Sequence, residues 1–327
     1  MSNDVFVVVE YLKGKISDIT FEMLGKGRET ADALGGKLYA VVIGSQCADL
    51  AEQLGKANAV LCVADMRLAD FNPTAYKHAL GELVRERAPR LVMIGNTSMG
   101  MDLAAGVSAL LNIPLIAYCN NLRVDASRGK IVATAQIYGG KLFADAEATG
   151  DQLIVSVLAG SFSADAGRAS GGAPVEEVKA PLSINGGAGV RFKQLIEPEA
   201  TDVDITKQDI LVSVGRGIQS ADNLELVEEL ANALGGALAS SRPIVDNGWL
   251  PKSRQVGKSG STVKPKLYFA VGISGAPEHL EGMRDAGLII AINSDPNAPI
   301  FDVAHYGIAA DLFDVVPALT EKIKSGQ

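Results

Sequence analysis

The side chains able to do chemistry gather at turns in the last third of the chain. Arg216 sits inside VGRGI, Ser241 and Arg242 inside SSRPIVDNGWLP, and Lys258 and Ser259 inside QVGKSG. Ser274 and His279 follow in GISGAPEHLEGM, Asn293 in AINSDPNAPIF and Asp311 near the end of AHYGIAADL. A guanidinium pairs bidentately with phosphate, and flanking glycines let the backbone approach it. QVGKSG reads as a phosphate cradle in which Gly257 and Gly260 free backbone amides while Lys258 and Ser259 supply donors; it is not a P-loop, because GxxxxGK[ST] is absent. Together these turns suit a grip on a large anionic cofactor.

Such residues need strands to deliver them. Two apolar runs, 267–271 and 288–292, read as buried strands, so Ser274, Gly275, His279, Asn293 and Asp295 fall at or just past strand C-termini, where open α/β sheets bind ligands. Upstream, 210–214 reads as a strand, GRGIQSA as a turn and 222–234 as a helix, with Leu224, Val227, Ala231 and Leu234 as its core stripe and Gly235-Gly236 as its end. The next strand, 237–239, delivers Ser241 and Arg242, and Pro243 stiffens the turn that aims the arginine. A salt bridge to Asp246 is the plainer role for Arg242.

The first two thirds alternate strands (5–10, 37–43, 59–63, 90–94) with helix-length intervals, which predicts a parallel sheet. Phe21, Leu24, Arg28, Ala31 and Leu34 form a helical stripe closed by Gly35-Gly36, and 75–87 forms a helix after Pro73 that ends by Pro89. Beyond Pro114 the strand-like runs, down to QLIVSVLAGSF, predict antiparallel additions. The stretch 165–189 is rich in Gly, Ala and Pro, and the domain boundary is expected near 197–204. The fold expected is α/β with two domains: an N-terminal parallel-sheet domain over 1–197 and a C-terminal doubly wound domain over 198–327.

Composition narrows the function. With 327 residues two cores are the default, and 47% apolar content with 35 Gly suits sheets covered on both faces. A net charge of −8 argues against a nucleic-acid footprint. No apolar stretch approaches the roughly 20 residues that span a bilayer. Cys47, Cys62 and Cys119 show neither CxxC spacing nor a nearby His, so the expectation is three buried, reduced thiols in a reducing compartment. A strand starts almost at the N-terminus, which leaves no room for a signal or transit peptide and points to a bacterial cytoplasm rather than a mitochondrial matrix.

In order and spacing these blocks strongly resemble the α subunit of electron transfer flavoproteins. The resemblance covers most of the last third of the chain. It implies FAD in the C-terminal domain and assembly of the N-terminal domain with a β subunit, which would itself hold AMP or a second FAD. It also implies a role as electron carrier, not substrate-converting enzyme, between a flavin-dependent dehydrogenase, such as an acyl-CoA dehydrogenase of fatty acid β-oxidation, and downstream acceptors. Carried over residue by residue, the FAD contacts are Arg216, Ser241, Arg242, the Gln255-Val256-Gly257-Lys258-Ser259 loop, the Ser274-Gly275-Ala276-Pro277-Glu278-His279 loop, Asn293, Asp311 and Leu312. Arg242 would lie beside the isoalloxazine, Ser259 near flavin N5, and His279 at the C2 carbonyl, stabilising charge that develops there on reduction. Asn293 and Asp311 would serve the adenosine half, although Asn293 equally suits a turn cap and Asp311 a helix cap before Leu312.

Five positions depart from the family pattern. Lys258 and Ser259 stand in QVGKSG against the usual QVGQTG, Pro277 and Glu278 in SGAPEH against SGAIQH, and His305 in AHYG against ADYG. Glu278, if close, would raise the pKa of His279, whereas His305 is given no role. An electron-bifurcating relative that oxidises NADH would look nearly the same in this subunit. A nicotinamide-dependent oxidoreductase is disfavoured because GRGIQS lacks the third glycine of GxGxxG.

Overall fold

The computed structural model describes residues 2–125, 127–186, 190–195 and 203–326. The chain divides into two units, 1–194 and 195–327. The expected junction at 197/198 lies outside the described residues.

Unit 1 is built on a sheet in which β1 (Val5–Val8), β4 (Leu38–Gly44), β5 (Ala59–Ala64) and β6 (Leu91–Gly95) run parallel, as their β-branched runs predict. A short hairpin, β2 (Tyr11–Leu12) and β3 (Lys15–Ile16), leads into α1 (Asp18–Leu34). Gly35 ends α1 in the left-handed region at φ 68°, where its amide closes back on the last turn. The short α2 (Ala48–Ala51) follows β4. α3 (Pro73–Arg87) opens on Asn72, whose side chain accepts the amides of Thr74 and Ala75, with Pro73 at the first helical position. α4 (Ser98–Leu111) opens on Thr97, which caps Gly100 at 3.0 Å. Along β1 the side chains alternate between two cores: Val5 and Val7 pack on one face with Leu24 and Leu38, Phe6 and Val8 on the other with Val41 and Leu80.

Beyond β6 the antiparallel expectation holds for β7 (Leu115–Asp125), β8 (Lys130–Ile137) and β9 (Leu142–Glu147). It fails for β10 (Leu153–Val157), which enters the sheet parallel to both β6 and β7 and is fully buried. LIVSV, apolar but for Ser156, whose buried hydroxyl donates to Asn96 Oδ1 at 2.6 Å, is what a strand covered on both faces needs. After α5 (Ala164–Gly167), the Gly-rich stretch contributes an element not foreseen, β11 (Val175–Val178), parallel to β5 at the sheet edge. The strand order is β11-β5-β4-β1-β6-β10-β7-β8-β9.

The cysteine expectation needs correction. Cys47, just after β4, and Cys62, on the neighbouring β5, form a disulfide with their Cα atoms 6.0 Å apart. Parallel pairing of β4 with β5 brings together two residues 15 apart that no local spacing rule connects. Only Cys119 is a buried free thiol among the described residues, and burial pushes its pKa up to about 12.

Unit 2 is a five-stranded parallel sheet in the order β13-β12-β14-β15-β16, made of β12 (Ile210–Val214), β13 (Ala237–Ser240), β14 (Leu267–Val271), β15 (Leu288–Asn293) and β16 (Tyr306–Ala309). Its helices are α6 (Leu224–Ala233), α7 (Arg242–Asp246), α8 (Pro277–Leu280) and α9 (Leu312–Ser325). The predicted stripe of α6 buries Val227 and Ala231, with Leu230 beside them, and Gly235 ends it at φ 68°.

Candidate functional site

The chain leaves β12 toward β13 on one side and resumes at β14 on the other, so a crevice opens at the C-terminal ends of β12 and β14. The turns leaving these strands pack directly on each other. A Cβ on Gly215 would lie 2.3 Å from the Gly272 oxygen, and one on Gly217 2.8 Å from the Gly272 Cα; Gly272 itself has φ 63°. The glycines of VGRGI are therefore required first by this backbone contact, which Gly217 N closes with a 3.1 Å hydrogen bond to the Gly272 carbonyl. With the turns so close, Arg216 projects from one and Ser274 follows the other, both exposed.

Between these turns and the 255–259 loop lies a cavity of about 700 Å³, within the ~300–1,000 Å³ typical of cofactor sites. All of its lining belongs to unit 2. Fifteen of the seventeen residues named from the sequence are there: Arg216, Ser241, Arg242, Gln255, Val256, Gly257, Lys258, Ser259, Ser274, Ala276, Glu278, His279, Asn293, Asp311 and Leu312. Two are not in the lining. A Cβ on Gly275 would meet Ile300 N at 2.2 Å, so that glycine serves a backbone contact at φ 86°, and Pro277 opens α8. Gly217, Gln219, Pro243, Gly272, Ile273 and Ser294 also line the cavity and were not among the contacts named from the sequence. Gln219 had no sequence signal, because it is a non-glycine residue at φ 69°.

Three cations reach this cavity in a chain of net charge −8. The Arg216 guanidinium has no partner among the described residues. Arg242 Nε bonds Asp246 Oδ2 at 3.1 Å across one turn of α7, and both side chains are mostly exposed. This is the plainer of the roles foreseen for Arg242, and it leaves the guanidinium at the cavity wall. Lys258 Nζ lies 3.6 Å from Glu281. Ser241 stands at the N-cap of α7 without a capping bond and is 7% exposed, so its hydroxyl remains available to the cavity.

The 255–261 loop is held from behind. Lys252 Nζ donates to the Ser259 carbonyl at 2.6 Å and to Gln255 Oε1 at 2.9 Å, and the buried Gln255 returns a 2.9 Å bond from Nε2 to Ser259 Oγ. Gly257, at φ 128°, comes so close to α8 that a Cβ would lie 2.7 Å from the Glu278 oxygen, and the next amide, Lys258 N, donates to that same oxygen at 2.7 Å. The departure at Lys258 is thus compatible with the loop, whose anchor there is a main-chain amide.

His279 is 6% exposed. Its Nε2 lies 2.9 Å from the Tyr268 hydroxyl, while Nδ1 is buried without any hydrogen-bond partner. Burial lowers its pKa to about 4; the Val256 backbone opposes this without closing a bond to Nδ1. Glu278 was expected to raise this pKa if close; its side chain is exposed and contributes nothing to the shift, and loss of hydration dominates. At neutral pH the imidazole is an uncharged donor and acceptor. Asn293 uses its amide within the fold, accepting from Asp295 N and donating to the Ile273 carbonyl, both at 2.9 Å, and Asp311 caps α9 through Phe313 N at 2.9 Å. His305 Nδ1 accepts Ile289 N at 2.9 Å.

An orphaned buried imidazole nitrogen, an unpaired guanidinium and an uncommitted serine hydroxyl on one cavity fit a ligand that carries phosphates and a ring edge rich in acceptors. Among the described residues no group of three His, Cys, Asp or Glu is arranged to hold a metal ion.

Comparison with known proteins gives the same direction. The electron transfer flavoprotein domain matches residues 5–183, and the electron transfer flavoprotein FAD-binding domain matches residues 204–284. The chain belongs to the electron transfer flavoprotein family. FAD is its cofactor, and the FAD-binding domain of the family falls in unit 2, where the cavity lies. Similar curated proteins include Protein FixB of Clostridium saccharobutylicum, 37% identical over 98% of this chain and 96% of the relative. Protein FixB of Azotobacter vinelandii is 38% identical over 98% of this chain and 91% of the relative. The electron transfer flavoprotein subunit alpha of Thermoanaerobacterium thermosaccharolyticum is 38% identical over 98% of both chains. In this family an α-type chain pairs with a β subunit.

Proposed function

We propose that FAD is seated in the unit 2 cavity and that the heterodimer carries electrons from a flavin-dependent dehydrogenase, such as an acyl-CoA dehydrogenase, to a downstream acceptor. The observation that carries this reading is the convergence of Arg216, Arg242, Ser241, Ser274 and His279 on one cavity at the switch point of a parallel sheet. When bound, FAD supplies the electron-accepting chemistry. The protein supplies position and charge. Arg216 neutralises phosphate from the β12 turn, and the wall around Gln255 and Val256 excludes water from the ring. Arg242 adds positive charge beside the ring, and His279 offers an uncharged hydrogen bond to it. Positive charge held near the ring favours its electron-rich form, which is how such a site would set the potential. The bacterial relatives support a cytoplasmic location. No helix among the described residues is long and apolar enough to cross a membrane.

The test is FAD binding by the heterodimer after flavin removal. Loss of a charge-assisted bond worth about 1.5–3 kcal/mol predicts that Arg216→Ala weakens binding by roughly 10- to 100-fold. An unchanged Kd would show that Arg216 does not meet the phosphates. A folded heterodimer that takes up no FAD would overturn the seating altogether.

A further inference from the structure

Tyr268 is the second residue of β14 and has no exposed surface, yet its hydroxyl is spent on a residue at the cavity wall. Among the described residues the one hydrogen bond this hydroxyl closes is the 2.9 Å contact with His279 Nε2. Ser213 Oγ, on the adjacent β12, lies near enough to oppose slightly the rise that burial gives the Tyr268 pKa, but it is buried and closes no hydrogen bond, so Nε2 is the better placed acceptor for the tyrosine proton.

The contact can be made in two ways, and hydrogen-bond accounting separates them. If Tyr268 donates to Nε2, the imidazole proton resides on Nδ1, and one buried donor, Nδ1–H, is left unmet. If Nε2–H donates to the tyrosine oxygen instead, the tyrosine O–H is left buried without an acceptor, and Nδ1 is left as an unmet buried acceptor. The second arrangement strands two groups and the first strands one. Burial also keeps both rings uncharged at neutral pH, since it raises the Tyr268 pKa and lowers that of His279.

We propose that Tyr268 is a positioning residue that donates to His279 Nε2, fixes the imidazole as its Nδ1–H tautomer, and so reserves that single unmet N–H for an acceptor on the flavin. This rests on the FAD seating proposed above. It makes the donor independent of protonation, so the site offers a neutral hydrogen bond throughout the physiological pH range. It also explains why a tyrosine, instead of an aliphatic residue, occupies a fully buried strand position: its hydroxyl decides which imidazole nitrogen carries the proton.

Side-chain ¹⁵N spectra of heterodimer assembled with only this chain ¹⁵N-histidine-labelled, and emptied of flavin, test it directly. The chain has only three histidines, so signals are assigned by His78→Gln and His305→Gln. The expected pattern for His279 is a pyrrole-like Nδ1 and a pyridine-like Nε2, moving to the opposite pattern or a mixture in Tyr268→Phe. FAD affinity in that variant is expected to fall about three- to tenfold, the size of one neutral hydrogen bond. A pyridine-like Nδ1 in the wild-type protein overturns the proposal, and this holds even if Tyr268→Phe fails to fold. A tautomer unchanged in Tyr268→Phe overturns it as well. Flavin uptake measured on the same wild-type sample separates this outcome from failure of the FAD seating: a protein that binds FAD but shows the wrong tautomer sinks only the role of Tyr268.

Discussion

Each unit of the molecule has a switch-point crevice, and the two have opposite contents. In unit 1 the crevice lies at the C-terminal ends of β1 and β6, and Glu10, Phe71, Tyr76, Met99 and Leu103 reduce it to about 30 Å³. In unit 2 the equivalent crevice between β12 and β14 holds about 700 Å³. The lining differs in kind as well as in volume. No Lys or Arg lines the first, whose one charged group is a carboxyl paired with Thr97 at 2.5 Å, whereas Arg216, Arg242 and Lys258 line the second. The topology that creates a binding crevice is thus necessary and not sufficient. Side-chain bulk closes one crevice, and mutually packed glycine turns hold the other open.

The strongest way to break this contrast is to push the unit 2 turns apart. In Gly217→Val the Cβ must displace the Gly272 backbone, and FAD affinity is expected to drop at least about 100-fold, roughly 2.7 kcal/mol, as read by flavin retained per heterodimer. Full retention would mean that the turn contact is not what shapes the site. The converse change hollows the unit 1 crevice. Leu103→Ala removes a side chain that is 3% exposed and is expected to cost about 2–5 kcal/mol in the unfolding transition of unit 1, with FAD affinity unchanged. A rise in flavin stoichiometry would show that volume alone makes a site.

A third contrast is in pH dependence, where the two crevices should have opposite signs. His279 has a folded pKa lowered from 6.5 to about 4, so its contribution is complete above about pH 6.5 and is lost as pH falls through 4, by at most about 3 kcal/mol. Glu10 is raised above 4.5 by burial, against the Thr97 hydrogen bond. Its contribution is therefore present below 4.5 and is lost as pH rises through its folded value. Thermal melts from pH 4 to 8 of His279→Gln and Glu10→Gln, each against wild type, should flatten one slope apiece. Slopes of the same sign would refute the contrast.

Much of this was legible in the chain. The runs at 210–214 and 267–271 became β12 and β14 without change of bounds, because a pentapeptide that is apolar throughout, or apolar but for one small serine, admits few other uses in a two-sided sheet. The loops that line the unit 2 cavity were legible because Gly, Pro, Ser and Arg at fixed offsets past strand ends mark turns with a ligand chemistry. What escaped was non-local. β10 and β11 pair with strands distant in sequence, and Cys47 meets Cys62 only because β4 and β5 are neighbours. The reason for the VGRGI glycines also escaped, since it lies in a second turn more than fifty residues away.

By itself the sequence determined the α/β class, the two-unit organisation, the family and fifteen of the residues that line the unit 2 cavity, because periodicity and turn chemistry are local properties. Only the tertiary structure decided that one crevice is filled and the other open, that His279 is uncharged, and that Tyr268 holds one of its nitrogens. Those outcomes depend on which buried groups face each other across strands, and desolvation and hydrogen-bond pairing act on that arrangement, not on the order of residues along the chain.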